Sequence, residues 1–444
     1  MLLRYIVSNF KSIGSPVEFT MLPSEQIIDV ESLKQVDTKD SEWHLLRRAG
    51  LFGPNASGKS SLIRSISFAR NYIVNGKKSG KGTGVDQFRG NISELNGVST
   101  FQFTFTIDRS VYEYGFAINK FQVCEEWLME FEKQGFVPLF TRLTSTDGKT
   151  EIEIESKFAR ANSKDRKLAE ILKESIQEKQ RNQLFLYKLS DNGIKKAEKI
   201  VDWFREIQII FPDTKIRALP IRVKEDESLR EYLGEMLKEM DTGVYDITVA
   251  SDEIDFHEFA EKMDLPLELV DNIEEIKNGI VSIEGKYFVF SEDKGKQTLV
   301  QLKFEHHLNN TVVRFNMEDE SDGTQRLLDL IPMIFSIGKN DALYFVDELD
   351  RSLHTKLSHF LLSEFERISK NTNSRNQIVY TAHDVNLIDL NSFRQDEIWF
   401  IEKNREGETR LRPLSDFHVT KTQDPLKAYL NGRFGAIPVI GGEC

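Results

Sequence analysis

With 444 residues, 39% of them hydrophobic and 29% charged, the chain is long enough for two or three domains and too polar to read as a membrane protein. No apolar run reaches the length of a membrane span. The formal net charge of −12 argues against a wholly basic nucleic-acid coat and leaves room for a local basic patch. Cys124 and Cys444 stand far apart and make neither a disulfide framework nor a zinc site. The opening Met1-Leu2-Leu3-Arg4-Tyr5 lacks the charged-then-apolar pattern of a signal peptide, so a reducing cytoplasm is expected.

The chain begins with a strand over 2–7, a turn over 9–13 and a second strand over 17–20; residues 23–46 read as polar and irregular. The apolar stretch 49–52 predicts a short buried strand. It feeds into Gly53-Pro54-Asn55-Ala56-Ser57-Gly58-Lys59-Ser60, which fits the phosphate-loop pattern G-x-x-x-x-G-K-[ST]. Apolar residues at 62, 63, 66 and 69 then predict a helix to about residue 74. Strand, glycine loop and helix are the context such a loop requires. Glycines let backbone N–H groups wrap phosphates without Cβ clashes, and the helix N-terminus adds partial positive charge. Lys59 is expected to reach the β- and γ-phosphates and Ser60 to hold Mg²⁺. The loop residues, with Ser61 behind them, form the candidate ATP cradle.

Residues 75–84, rich in lysine and glycine, read as a flexible basic loop, with nucleic-acid contact as an open alternative to simple solvation. From 99 to 155 the pattern is β. Phe101, Phe103 and Phe105 alternate with polar residues and predict one buried sheet face rather than a base-stacking surface. Residues 108–110 read as a hairpin turn. From 156 to 278 the chain looks helical and heavily charged, with helices near 169–176, 200–210, 229–240 and 256–263. This region reads as a compact helical insertion without an extended coiled coil. Strands are expected again at 279–283, 286–290, 298–304 and 312–315, with His306 and His307 on the surface at a strand end.

Two further stretches complete a nucleotide site. The apolar run 342–346 ends in Asp347 and Glu348, a Walker B pattern nearly 290 residues after the phosphate loop. Asp347 suits the Mg²⁺ shell, and Glu348 suits the general base that polarises the attacking water. The run 376–382 predicts a second buried strand ending at His383, placed to sense the γ-phosphate. Upstream, Ser321-Asp322-Gly323-Thr324-Gln325 is a small turn opening a helix that Pro332 is expected to interrupt. One site has no use for two such turns, whereas two protomers placed head to tail would use both.

The order of these motifs resembles the ABC-type ATPase heads of the SMC and RecF kind. More narrowly, it resembles the AAA-15 type ATP-binding proteins of bacteria, including RloA-like, abortive-infection and PARIS AriA-type ATPases. The opening 7–12 and the closing 432–438 share in that resemblance. It covers roughly 1–110 and 300–444 and implies an α/β P-loop head; the split of the nucleotide motifs around a helix-patterned middle assigns that head to 1–155 and 279–444, with a β subdomain and the insertion 156–278 between its halves. The resemblance also implies ATP and Mg²⁺ as cofactors, and it adds Ser321, Gly323, Thr324, Gln325 and Asp350 to the nucleotide contacts. The chain has Ser-Asp-Gly-Thr-Gln where transporter heads have Leu-Ser-Gly-Gly-Gln, and Thr355 where the group often has proline. About sixty residues follow His383, too few for the Toprim nuclease domain of old-type relatives, so no intrinsic nuclease is expected. The resemblance further implies a homodimer or higher oligomer closed by a nucleotide sandwich, with no membrane partner. The function expected is an ATPase sensor of a separate, neighbouring toxic effector in anti-phage defence, with a RecF/SMC-like DNA-repair or tethering head as the alternative.

Overall fold

The computed structural model describes every residue except 26, 28–31, 79, 91–96, 146, 216–218, 254–257, 260, 262–278, 284–285, 294–295, 310, 418, 420–424 and 438–444. The chain divides into two units. The first comprises Met1–Pro212, Asn340–Asp350 and Ser369–Cys444; the second comprises Asp213–Lys339 and Arg351–Ile368. Among the described residues, no helix is long and apolar enough to cross a membrane.

The first unit packs one long helix against two sheets. Its strands begin with β1 (Leu2–Ser8), β2 (Val17–Thr20), β3 (Lys34–Asp37), β4 (Glu42–Leu45) and β5 (Arg48–Phe52), followed by helix α1 (Lys59–Asn75). The stretch expected to be irregular thus contains a ladder, β3 against β4, in which buried Lys34, Val36 and Leu45 face inward. Strands β6 (Ser99–Ile107), β7 (Ser110–Ile118), β8 (Val123–Glu132), β9 (Gly135–Thr144) and β10 (Thr150–Ile154) form an antiparallel sheet with the order β10-β9-β8-β7-β6-β1-β2. The expected β subdomain therefore shares its sheet with the first two strands of the chain.

Phe101, Phe103 and Phe105 are buried to 1% exposure or less, as their alternation predicts. Burying each such ring stabilises the fold by roughly 1.5–3 kcal/mol. Their cover comes from the segment expected as an insertion. Helices α2 (Lys164–Lys179), α3 (Phe185–Asp191) and α4 (Lys195–Arg205) lie in the first unit. Trp203 of α4 stacks on Phe105 at 4.1 Å, and Phe204 meets Phe103 edge-on at 5.1 Å. Strand β11 (Ile207–Ile210) follows and pairs in parallel with the strand that carries Asp347. Residues 156–212 are thus core elements of the first unit, and apolar burial explains why: Ile200, Val201 and Phe204 have no exposed face to offer as a separate module.

The second sheet of this unit has the order β11-β17-β18-β5-β19-β20, with β17 (Leu343–Val346), β18 (Gln377–Ala382), β19 (Ile398–Lys403) and β20 (Thr409–Pro413). All neighbours are parallel except β19 with β20, so the mixed α/β sheet expected from the sequence is present. Strands β17, β18 and β5 are buried along every residue, as parallel strands covered on both faces must be.

The loop after α1 is tethered rather than free. Asn182 Nδ2 donates to the carbonyls of Lys78 (2.9 Å) and Lys81 (2.7 Å), Lys77 N donates to Gln183 Oε1 (2.6 Å), and Thr83 N donates to the carbonyl of Lys120 (3.0 Å). Lysine and glycine content signals solvent exposure, which is observed, but it does not reveal the partners that fix a backbone.

The second unit holds α5 (Leu219–Glu225), α6 (Glu227–Glu239), and the antiparallel strands β12 (Val244–Glu253), β13 (Gly279–Ile283), β14 (Lys286–Asp293), β15 (Lys296–Leu308) and β16 (Thr311–Asn316). The four strands expected after residue 279 are all present. The helix expected at 256–263 falls largely outside the described residues. Helix α7 (Asp322–Ile337) runs through Pro332 without a break. The missing proline N–H leaves one carbonyl of the previous turn without its helix donor, and the helix continues on the packing of Leu328, Ile331 and Ile334. His306 is half-buried rather than superficial: its Nε2 lies 2.7 Å from Glu320 Oε1, and its ring meets Phe315 edge-on. The region expected as the C-terminal half of the head, 279–444, is therefore shared between the units.

Candidate nucleotide site

The first unit brings Lys59, Ser60, Asp347, Glu348, Asp350 and His383 together at the ends of β5, β17 and β18. Each stands where a parallel strand gives way to a loop, the edge at which open α/β sheets bind ligands. Strand β5 ends at Phe52, and Gly53–Gly58 turns the chain into α1. Gly58 has φ +111°, and a Cβ there would fall 2.0 Å from Thr409 Oγ1. It is the N-cap of α1, and no side chain caps that terminus, so the first amides of α1 stay open to an anion.

Lys59 is 5% exposed and folds over its own loop, its Nζ donating to the carbonyls of Gly53 (2.6 Å) and Pro54 (3.0 Å). Burial lowers its ammonium to about 8, against the opposing pull of Asp347, Asp350 and Glu348. The same Nζ lies 3.4 Å from His383 Nδ1, and His383 Nε2 lies 3.8 Å from Glu348 Oε1. One histidine thus touches both the phosphate-loop cation and the candidate base.

Ser60 Oγ donates to Asp347 Oδ1 at 3.1 Å. A hydroxyl beside a carboxylate is a hard-oxygen pair of the kind Mg²⁺ takes, completed by phosphate oxygens and waters rather than by a full protein cage. Among the described residues, no group of three or more His, Cys, Asp or Glu could hold a metal alone. The donors present therefore fit Mg²⁺ arriving with a nucleotide.

A residue the sequence reading gave no role joins the two acids. Thr381, fully buried at the end of β18, donates from Oγ1 to Asp347 Oδ1 at 2.7 Å. The same Oγ1 accepts the Glu348 N–H at 2.7 Å, and the Thr381 carbonyl accepts the Leu349 N–H at 2.9 Å. These bonds hold Glu348 at φ +51°, a left-handed conformation that costs a non-glycine residue about 1–2 kcal/mol. A hydroxyl ending a run of buried residues must find a partner, which is the signal that marks Thr381. Asp350 Oδ2 accepts the backbone N–H of His383 (2.8 Å) and of Asp384 (2.6 Å). Asp350 thus shapes the histidine loop. Ser12 and Thr409 also reach the phosphate loop: Ser12 Oγ bonds Ser61 Oγ at 2.8 Å, and Thr409 Oγ1 donates to the Ser57 carbonyl at 3.1 Å. Ser12 ends the opening stretch 7–12 that shares in the resemblance, whereas nothing local in the sequence marks Thr409.

Ser321, Gly323, Thr324 and Gln325 lie in the second unit, and their polar groups are engaged within it. Ser321 Oγ accepts the Thr324 N–H at 3.1 Å, and Gln325 Nε2 donates to the Glu320 carbonyl at 3.0 Å. A Cβ on Gly323 would come 2.8 Å from the Ser352 carbonyl, so glycine is required there by close packing.

A protein-family profile described as "AAA domain, putative AbiEii toxin, Type IV TA system" matches residues 48–389, an interval from the first residue of β5 to just past His383. No curated protein matches. Among solved structures, the SMC head bound to the C-winged helix domain of ScpA is similar at 11% identity, covering 93% of this chain and 96% of that one, with a TM-score of 0.39.

Proposed function

The chain belongs to the AAA-domain family matched over residues 48–389, and on that premise we propose that it is a Mg²⁺-dependent ATPase whose nucleotide state controls a separate toxic effector in bacterial anti-phage defence. One observation carries the chemistry: Ser60 and Glu348 are both tied through Asp347 and Thr381 to the strand ends that flank Lys59. Lys59 and the open amides of α1 bind the phosphates. Ser60 and Asp347 hold Mg²⁺, which when bound offsets charge on the phosphoryl oxygens. Glu348 takes the proton of the attacking water, and His383, within reach of both Lys59 and Glu348, orients that exchange.

The family description names a toxin of a toxin–antitoxin system, which supports a defence role, as does the narrower resemblance to abortive-infection ATPases. A trigger that binds one nucleotide state better than the other would shift the population and release or activate the effector. The test is phage challenge of cells expressing the chain with its neighbouring gene. Protection by the wild-type pair and its loss with Glu348→Gln support the reading. Absence of restriction, together with an ATPase that requires DNA ends, replaces it with a repair or tethering role. The turn at Ser321–Gln325 is read as closing the nucleotide against a second copy of the chain. Mixing Lys59→Ala protein with Gly323→Ala protein then restores partial turnover, and no rescue under subunit exchange removes the shared site.

A further inference from the structure

We infer that the surface beyond the C-terminal end of α1 is a binding platform for single-stranded nucleic acid. Three segments of the first unit interlock there. The tethered loop supplies Lys78 and Lys81, the β7–β8 turn supplies Lys120 and Phe121, and the segment before α3 supplies Arg181. Asn182, next to Arg181, binds the carbonyls of both Lys78 and Lys81. Thr83 N binds the carbonyl of Lys120, and Val123 N binds that of Arg181 at 2.9 Å. The four basic residues are thus held on one connected backbone frame, and all four are exposed.

None of the four has an ion pair among the described residues. The Arg181 guanidinium lies over Gly148, in the turn that also carries Asp147. Asp147 turns one oxygen, Oδ1, to the Ser145 hydroxyl and the Lys149 N–H, and it makes no ion pair with Arg181. In a chain of net charge −12, four exposed cations without an ion pair on one backbone frame point to a site for a polyanion.

Phe121 narrows the class. It is 71% exposed, the most exposed large hydrophobic among the described residues, and sits directly beside Lys120. Its backbone is held by the Asn119 side chain, which accepts the N–H groups of Phe121 (2.8 Å) and Gln122 (2.9 Å). An exposed aromatic ring on a fixed backbone beside cations is what a single strand uses, stacking an unpaired base while the lysines follow the phosphates. A duplex hides its base faces, so an unpaired strand is the polyanion that uses the ring and the cations together. Helix α1 joins this platform to the phosphate loop, its 17 residues spanning about 25 Å.

The test is fluorescence anisotropy of the full chain with labelled oligothymidylate over a salt series. It needs no ATP turnover, so its outcome is independent of the ATPase assignment. Four phosphate contacts predict a slope of log K against log salt of about −3. Lys78→Glu with Lys81→Glu and Lys120→Glu is expected to lower affinity ~100-fold or more and flatten that slope. Phe121→Ala is expected to cost about tenfold with the slope unchanged. A Lys-to-Gln set at the same positions, checked by thermal melting, separates charge loss from misfolding. Equal binding by the triple variant overturns the site. Equal affinity for a duplex of the same length overturns the single-strand assignment, and tighter retention on anionic vesicles or polyglutamate transfers the platform to a membrane or an acidic protein.

Discussion

Two helices in this molecule open on small, glycine-containing turns, and the two turns are built oppositely. At α1, Gly58 caps the helix without a side chain, the first turn contains no acid, and Lys59 lies over the loop. At α7, Ser321 caps the helix through its own hydroxyl, Asp322 puts a negative charge in the first turn, and Gln325 closes back on Glu320. A helix start with unsatisfied amides and a nearby cation is ready for phosphate. A helix start that satisfies its own donors is ready for nothing more than a stable turn until a partner competes for them. Similar local composition therefore gives one helix start left open to an anion and one closed on its own side chains, as the proposed division into a phosphate site and an assembly contact requires.

Substitutions at the two glycines should break this comparison most sharply. Gly58→Ala drives a Cβ into Thr409 at a left-handed φ, and ATP affinity measured by calorimetry is expected to fall about 100-fold or more. Gly323→Ala presses on the Ser352 carbonyl. It should leave ATP affinity of the isolated chain unchanged while costing about 1–3 kcal/mol in denaturant unfolding. Thr381→Val comes next. It leaves the Glu348 N–H buried without its acceptor, so a stability loss of about 1–3 kcal/mol is expected. Because Asp347 loses the same partner, kcat should fall roughly tenfold with little change in ATP affinity.

The pH dependence is a smaller effect with a definite sign. Burial lowers Lys59 from 10.5 to about 8. Below pH 8 both folded and unfolded chains carry the proton, and the burial penalty is full. Between about 8 and 10.5 only the unfolded chain keeps it, so this residue's contribution to stability rises with pH across that window. ATP binding moves the other way, weakening as pH rises through 8 because the phosphate-binding cation is lost; Lys59→Arg should remove that decline. Smallest is the cap at α7. Ser321→Ala is expected to cost about 1 kcal/mol and Ser321→Gly only a few tenths, both read from urea midpoints.

The parts of the site that were legible in the sequence were those set by local chemistry. Gly58, Lys59 and Ser60 follow from a loop pattern, and Asp347, Glu348 and His383 follow from acids and a histidine ending apolar runs. Their mutual contacts were not legible, because Thr381, Ser12 and Thr409 act through hydrogen bonds spanning 32 to 397 residues of chain. The division into two units is not legible for a related reason. Trp203 and Phe204 sit on an amphipathic helix whose apolar face looks the same whether it covers its own module or the distant phenylalanines of β6. Charge density likewise marked residues 75–84 as exposed, while the partners that pin them, Asn182 and Gln183, lie about a hundred positions away.

The central claim is that Lys59 binds nucleotide and Glu348 turns it over. The direct measurement is ATP affinity and steady-state turnover on the wild type, Lys59→Ala and Glu348→Gln side by side with Mg²⁺ present. Glu348→Gln is expected to keep wild-type affinity and lose turnover by about 100-fold or more, while Lys59→Ala loses affinity itself. Wild-type turnover by Glu348→Gln would contradict that claim.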